Sequence, residues 1–372
     1  MALLCEPAPR ALTEAGPAAR LGPFVETVFA CLPRADQRKW AELYIRALLL
    51  TPGKKSLRRL AQSVTDSPTA PQAIHQFVNA SPWDWLAARQ ALLRWTEDLP
   101  RTPAAWTLAP AFIPKRGTQS AGVHRRFHPA RGRITNCQLG IALLAHSPHG
   151  PLPVDWHLHI PPEWASDSPL RRKARIPDEA CGPLWAQAAQ LLHRAAAWSA
   201  HRRIPVTAEL SWLPGHEPFL AHLTHRGQPF LVEVPDTTRV RPAAPLTAHT
   251  RTVLVRDLMA SHGTADVEKR QHLLTWTVTL PGHAPEHAPL RLLAQHRSEG
   301  APRTWLTNLD DRPLPDLLPL MQQPRQATAV IDSLGEDYGL LDFEGRSFPG
   351  WHHHTTLLSA AYTYARTHGR PR

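Results

Sequence analysis

Basic side chains form two groups whose residue types and spacing suit the binding of phosphates. Only six of the 42 basic residues are lysines. Arginine, which can donate two parallel hydrogen bonds to one phosphate, therefore supplies most of the charge. The first group lies at the expected start of a helix and comprises Lys54, Lys55, Arg58 and Arg59. The second group lies between Leu99 and Val154, where the chain has no Asp or Glu, and comprises Lys115, Arg116, Arg125, Arg126, Arg131 and Arg133. Both groups predict contacts to a nucleic-acid backbone, although a solvated helix face explains the first group equally well.

The composition is that of a globular chain with an excess of positive charge. Hydrophobic residues make up 42% and charged residues 20% of the 372 positions, which argues against a disordered or fibrous protein. The net charge of +11 favours a nucleic acid over a membrane or an acidic small molecule as the partner, and the resemblance described below implies that this nucleic acid is double-stranded DNA. A GC-rich genome that enriches arginine everywhere is the alternative explanation. No apolar run reaches the length of a membrane span, so we expect a cytoplasmic, nucleoid-associated protein.

Histidine and cysteine are present without the spacing of a metal site. The cysteines are far apart and form no CxxC pair; they are Cys5, Cys31, Cys137 and Cys181. The one histidine cluster, residues 352–354, has consecutive side chains, which diverge on a helix. We therefore expect no structural metal there, and we predict that these histidines and Trp351 are core residues.

Apolar spacing divides the chain into a helical part and an α/β part. From about residue 24 to 98, apolar residues recur every three or four positions between turns such as Thr51-Pro52-Gly53, which predicts four or five short helices. From Trp106 onward, strands are expected at 136–145, 154–160, 204–210 and 229–234, with a long helix at 184–199. Further strand-like segments continue to about residue 309, namely RTVLVRDL, HLLTWTVTL, PLRLLAQ and RTWLTNL. This order indicates an α/β domain with a mixed sheet and a β-rich insertion.

Several motifs resemble bacterial insertion-sequence transposases of the DDE superfamily. They are TQSAGVHRRFHPARGRITNCQLGIAL (118–143), IPPEWASDSPLRRKARIP (160–177) and GLLDFEGRSFPGWHHHTTL (339–357), together with QRKWAELYIRALL, SLRRLA and AIHQFVNASPWDW in the helical part. The resemblance covers roughly residues 35–366. It implies an RNase H-like mixed sheet flanked by helices, of α/β (α+β) class. The expected division is a disordered arm at 1–21, a helical DNA-binding domain at 22–100, an RNase H-like domain at 101–239 and 326–372, and a β-rich insertion at 240–325.

The resemblance also implies a catalytic site, and this chain departs from it. Such enzymes hold two Mg²⁺ or Mn²⁺ ions with three carboxylates. The position of the first carboxylate falls on Ala109 and Pro110, neither of which can bind a metal. The second corresponds to Glu209, which is one methylene longer than the aspartate of the family, and the third matches Glu344.

Two further charged residues bear on the three expected carboxylate positions. Asp155, on an adjacent strand, is a candidate substitute for the first acid, although relatives carry a similar acid there beside a full triad. The alternative role for Glu344 is an ion pair with Arg346 or another arginine. Arg346 itself joins the expected DNA-contacting residues.

Three functional hypotheses follow. The first is a transposase-derived DNA-binding protein that has lost strand cleavage and needs no cofactor, acting as a regulator, as a partner of an active relative or as a homo-oligomer. The second is an active metal-dependent transposase or endonuclease that uses Glu209, Glu344 and an unidentified third ligand with Mg²⁺ or Mn²⁺. The third is a protein-interaction module, against which the positive charge of the strand region speaks.

Overall fold

The structure is a computed structural model of the chain. It describes residues 17–100, 105–128, 131–201, 203–243, 251–261, 266–268, 273–282, 289–295 and 302–369. Most of the arm expected at 1–21 lies outside these residues, as does Cys5. The first helix nevertheless begins at Pro17, inside the range expected to be an arm.

Five short helices form the N-terminal bundle: α1 (Pro17–Val28), α2 (Ala35–Leu50), α3 (Leu57–Gln62), α4 (Ala70–Asn79) and α5 (Trp85–Glu97). Helix α5 begins where the Asp84 carboxylate accepts hydrogen bonds from the backbone N–H groups of Leu86 and Ala87. Each helix buries one apolar face, for example Ile74, Phe77 and Val78 of α4. The spacing in the sequence therefore predicted this part correctly.

The central sheet has the mixed order expected from the strand pattern. Strands β1 (Trp106–Pro114), β2 (His124–His128), β3 (Arg133–Ser147) and β4 (Gly150–Leu158) are antiparallel neighbours, with both β2 and β4 pairing with β3. Strands β5 (Val206–Glu209) and β6 (Phe230–Glu233) extend the other side of β1 in parallel. The spatial order β4-β3-β1-β5-β6 is that of an RNase H-like fold.

Helices cover both faces of this sheet. Helices α8 (Leu184–Trp198) and α9 (Glu217–His225) share one apolar core with Leu108, Leu139 and Ile141 of the strands. The opposite face, which includes Ala109 and Trp156, packs against α11 (Leu314–Glu336), α12 (Phe348–His368) and the N-terminal bundle. Two short helices, α6 (Pro162–Ser166) and α7 (Ser168–Lys173), and a 3₁₀ turn at Asp178–Ala180 connect β4 to α8.

The expected β-rich insertion lengthens the same sheet. It contains β7 (Arg239–Pro242), β8 (Val253–Leu254), β9 (Asp266–Glu268), β10 (Leu273–Thr279), β11 (Leu290–Gln295) and β12 (Arg303–Thr307), of which β12 pairs with β6. Two expectations need correction. The segment RTVLVRDL forms only the two-residue strand β8 and then α10 (Val255–Ala260), and α11 begins at Leu314, within the range 240–325 expected to be β-rich. None of the described helices is both long and apolar enough to cross a membrane.

The three consecutive histidines of α12 join the bundle to the sheet, as their predicted core role requires. Each is at most 3% exposed. His352 stacks on Trp85 with ring centroids 5.0 Å apart, and His353 stacks on Trp83 at 4.0 Å. His354 Nδ1 lies 2.9 Å from the hydroxyl of Tyr44. The three rings contact different partners, so these histidines pack the helical bundle against α12.

Candidate active-site cleft and basic surface

A cleft of about 480 Å³ opens where β1 and β5 end against α11. Its walls come from the ends of these two strands, from the β2–β3 hairpin and from one face of α11. Its polar and small lining residues include Ala109, Pro110, His128, Arg131, Glu209, Thr328, Asp332 and Glu336. This is the site at which an RNase H-like domain would present catalytic carboxylates.

The register of β1 and β5 places the first two sequence-predicted positions side by side. Leu108 pairs with Ala208 in parallel, so the next residues along the two strands are Ala109 and Glu209. Ala109 is 2% exposed and belongs to the core under α11. The methyl group of Ala109 therefore fills the place from which a carboxylate would reach the cleft.

Glu209 is held by its own strand end. Its Oε1 accepts a hydrogen bond of 2.6 Å from the backbone N–H of Ser211. Burial raises the pKa of Glu209, and the nearby charge of Glu233 acts in the same direction, while the hydrogen bonds from Ser211 oppose both.

The residues present do not fit the pair of divalent ions that this kind of site implies. Two ions about 4 Å apart need several carboxylate oxygens shared between them. On the strands that line the cleft, Glu209 stands beside Ala109 and Pro110, which have no side-chain ligand atom. Among the residues that the structure describes, no three His, Cys, Asp or Glu side chains are grouped so that they could hold a metal ion.

Two acids of the cleft were missed by the sequence reasoning. Asp332 and Glu336 are four residues apart on α11, one turn after the other, and both are exposed on the face that lines the cleft. Thr328 precedes them by a further turn, and its hydroxyl donates to the carbonyl of Pro324 at 3.0 Å. The spacing of four residues between Thr328, Asp332 and Glu336 is visible in the sequence. It places them on one side of a helix only if residues 314–336 form a single helix, which the structure shows.

Glu344 does not line this cleft, which corrects the expectation that it is grouped with Glu209. It lies between α11 and α12, its side chain is 67% exposed, and its Oε1 is 3.9 Å from Nζ of Lys54. The ion-pair partner is thus a lysine of the helical bundle and not Arg346, which is exposed nearby. The chain turns away from the cleft after α11, and this turn separates Glu344 from Glu209.

Asp155 is likewise no substitute for the missing acid, because its carboxylate is already bound. It is 1% exposed, with Oδ1 3.0 Å from Nη1 of Arg89 and Oδ2 2.9 Å from Nη2 of Arg194. Oδ1 also accepts the backbone N–H of Trp156 at 2.7 Å. This acid stabilises the junction of bundle and sheet.

Most residues predicted to contact DNA have exposed side chains. These are Lys54, Arg58, Arg59, Arg116, Arg125, Arg131, Arg133 and Arg346. Lys54, Lys115, Arg116 and Arg346 border one depression together with Asp342 and Glu344. Arg131 stands at the mouth of the cleft.

Three of the predicted contacts have other partners. Lys55 is only 6% exposed and its ammonium group donates to the carbonyl of Thr51, so the prediction of a phosphate contact there is wrong. Nζ of Lys115 donates to the carbonyl of Phe343 at 2.6 Å, and burial lowers the pKa of Lys115 to about 8. Arg126 lies 5.4 Å above the ring of Phe112 and is half-buried.

Comparison with known proteins agrees with this architecture. No curated protein matches the sequence. Residues 27–255 match the family described as DDE superfamily endonuclease. The matched range is more than half of the chain, and it contains Ala109, Pro110 and Glu209 on the strand ends that line the cleft. With an RNase H-like sheet and a cleft where that sheet presents its catalytic positions, the chain belongs to the DDE superfamily endonuclease family.

Proposed function

We propose that this protein binds double-stranded DNA through its basic surface and does not cleave it by two-metal chemistry. One observation carries the proposal: strand β1 offers Ala109 and Pro110 where strand β5 offers Glu209. Two-metal cleavage needs ions that activate the attacking oxygen and stabilise the leaving oxygen. A single carboxylate on the strands supplies too few ligand oxygens for two ions.

The charge that supports DNA binding lies on the β2–β3 hairpin, whose Arg131 lines the cleft, and around the depression bordered by Lys54 and Arg116. The stretch from Leu99 to Val154 has no acid, and its exposed arginines include Arg116, Arg125, Arg131 and Arg133. The ion pair between Lys54 and Glu344 is long and exposed, so it contributes little and leaves the ammonium group accessible to a phosphate. Phosphate contacts of this kind bind without metal ions and weaken as salt rises.

One structural observation favours a competing function, a residual nuclease. Asp332 and Glu336 line the same cleft as Glu209, so a rearrangement on DNA binding would bring three acids near one another. In that function Mg²⁺ or Mn²⁺ would be held by Glu209 together with the acids of α11, and Glu344 would have no part. The two functions differ in whether DNA ends are made.

The experiment incubates the full chain with sheared genomic DNA and Mn²⁺ at low salt, then sequences both the retained fragments and any new ends. We expect retained fragments without new ends, and retention that falls steeply as salt rises. Fragments that share a sequence would indicate a site-specific regulator or a partner of an active relative.

Variants make the result specific. Arg125→Glu combined with Arg133→Glu should abolish retention. Arg226→Glu, at an exposed arginine that directly follows α9 on the other side of the sheet, should leave retention largely unchanged. New ends that vanish in Glu209→Gln would overturn the proposal in favour of the nuclease. Absence of retention at low salt would overturn it in favour of a protein-interaction role.

A further inference from the structure

The β2–β3 hairpin exposes two large apolar side chains that face each other. Phe127 is 57% and Ile134 is 59% exposed, and the two residues pair across the antiparallel strands. Opposed side chains on one face of such a pair are about 5 Å apart. Together they form a single apolar ridge on the surface of the hairpin.

The opposite face of the hairpin anchors the ridge to the domain. The ring of His128 lies 4.9 Å from the ring of Phe112 on β1, and Arg126 lies 5.4 Å above the same ring. Arg126 also donates to the carbonyl of Trp212 at 3.4 Å. Strand β3, which is 15 residues long, then continues into the core between β1 and β4. Phe127 and Ile134 are therefore presented to solvent by a supported hairpin.

The surroundings of the ridge are basic. Arg125 lies two residues before Phe127 on the same face of β2. Arg131 lies in the turn between the strands, and Arg133 pairs with His128, so its side chain leaves the hairpin from the other face. All three arginines are exposed, and the sequence supplies no acid on the hairpin. This charge complements a polyanion and disfavours docking of a second copy of this chain, whose hairpin is equally positive.

The hairpin also borders the cleft, because His128 and Arg131 line it together with Ala109 and Glu209. Phe127 and Ile134 lie on the face of the hairpin turned away from His128, so a duplex held by the exposed arginines of the hairpin would meet them beside the cleft and not inside it. Apolar side chains flanked by arginines are the means by which several DNA-bending proteins unstack a base step.

We propose that the β2–β3 hairpin is a DNA wedge. Phe127 and Ile134 enter a base step of the bound duplex, while Arg125, Arg131 and Arg133 hold the phosphates on either side. This inference rests on the proposed DNA binding and deepens it, since it states that the bound DNA is distorted and names the residues that distort it. No bond is made or broken in this step.

The test uses a random-sequence pool of 40-base-pair duplexes bound to the full chain at low salt, with the bound fraction treated with permanganate and sequenced. Permanganate oxidises thymines that have lost stacking. We expect reactive thymines in DNA bound by the unchanged protein, and their loss in Phe127→Ala and in the double variant Phe127→Ala with Ile134→Ala. Removing the aromatic contact should weaken binding by about 5- to 150-fold. The salt dependence should stay the same, because the phosphate contacts remain.

A matched control is Leu86→Ala, which truncates another exposed apolar side chain, 37% exposed on α5. It should change neither reactivity nor affinity. Because Phe127 and Ile134 are exposed, their alanine variants should keep the unfolding temperature of the unchanged protein, which thermal denaturation checks.

The outcomes are distinguishable. DNA that is bound without reactive thymines, or with thymines equally reactive in the alanine variants, overturns the wedge and leaves the proposed function standing. Loss of all DNA binding by the unchanged protein overturns the proposed function itself. A dimer that Phe127→Ala converts to monomers in light scattering, without an effect on bound DNA, assigns the ridge to self-association and overturns the wedge.

Discussion

Arg89 of α5 and Asp155 of β4 form an ion pair enclosed at the junction of the helical bundle and the sheet. Nη1 of Arg89 is 3.0 Å from Oδ1 of Asp155, and the two side chains are 0% and 1% exposed. Arg89 also donates to the carbonyls of Trp156 and His352, at 2.7 and 3.0 Å. One side chain thus connects α5, β4 and α12, so the bundle is held in a fixed position relative to the cleft.

Loss of this arginine should destabilise the whole protein. In Arg89→Met, we expect the free energy of unfolding to fall by about 3–5 kcal/mol, because the carboxylate of Asp155 stays buried with one partner fewer. Chemical denaturation measures this loss. Arg46→Met removes the partly exposed pair with Glu42 on α2 and should cost less than about 1 kcal/mol. Similar losses in both variants would contradict the structural role of Arg89.

The buried histidines should make the fold sensitive to acid. Burial lowers the pKa of His353 to about 4 and that of His354 to about 3, whereas an unfolded chain titrates near the ordinary value of about 6.5. Between pH 6.5 and about pH 4, these two histidines therefore bind protons in the unfolded chain but stay neutral in the folded chain. The contribution of the neutral histidines to the free energy of unfolding is fully present above pH 6.5. It falls as the pH drops towards 4, by up to about 1.4 kcal/mol per pH unit for each histidine.

Urea titrations between pH 7 and pH 4.5 measure this slope. In His353→Gln, whose amide can still donate to the carbonyl of Val78 or Trp83, the slope should be smaller by the share of one histidine. An unchanged slope would show that His353 is not among the groups responsible.

Two glycines that both have a positive φ angle should lose different amounts of stability when they are replaced by alanine. Gly122 has φ +72°, and a Cβ there would lie 2.5 Å from the carbonyl oxygen of His159. Gly132 has φ +59° with nothing within 4 Å. We expect Gly132→Ala to cost about 1–2 kcal/mol of stability and Gly122→Ala about 2–5 kcal/mol, because the clash adds to the strain. Equal shifts in thermal unfolding would contradict the close approach at Gly122.

Exposed and buried basic residues should affect DNA binding in different ways. Arg133→Gln removes an exposed charge and should reduce the slope of log affinity against log salt by about 0.9. Lys55→Gln should leave this slope unchanged but lower the free energy of unfolding by about 1–3 kcal/mol, because the buried carbonyl of Thr51 loses its donor. Salt titrations of binding and urea titrations of folding separate the two effects. A reduced salt slope in Lys55→Gln would contradict its burial.

The sequence by itself determined the class of the fold. Apolar residues that recur every second or every third to fourth position encode strands and helices locally, so the five N-terminal helices and the strands β3 to β6 were predictable. The absence of Asp and Glu between Leu99 and Val154, which includes Ala109 and Pro110, is likewise a property of the chain alone. Helix α11 was not expected from residue 314, because Pro319 and Pro324 interrupt the helical pattern.

Only the tertiary structure decided which of these side chains share a site. Glu209 and Asp332 are far apart in sequence and line one cleft because α11 packs on β1 and β5. Glu344 lies close to α11 in sequence but not in the cleft, because the chain turns towards the helical bundle. Lys55 looks like its neighbour Lys54 in sequence, yet packing buries one and exposes the other. Periodicity specifies local elements, whereas burial and proximity follow from how distant elements pack.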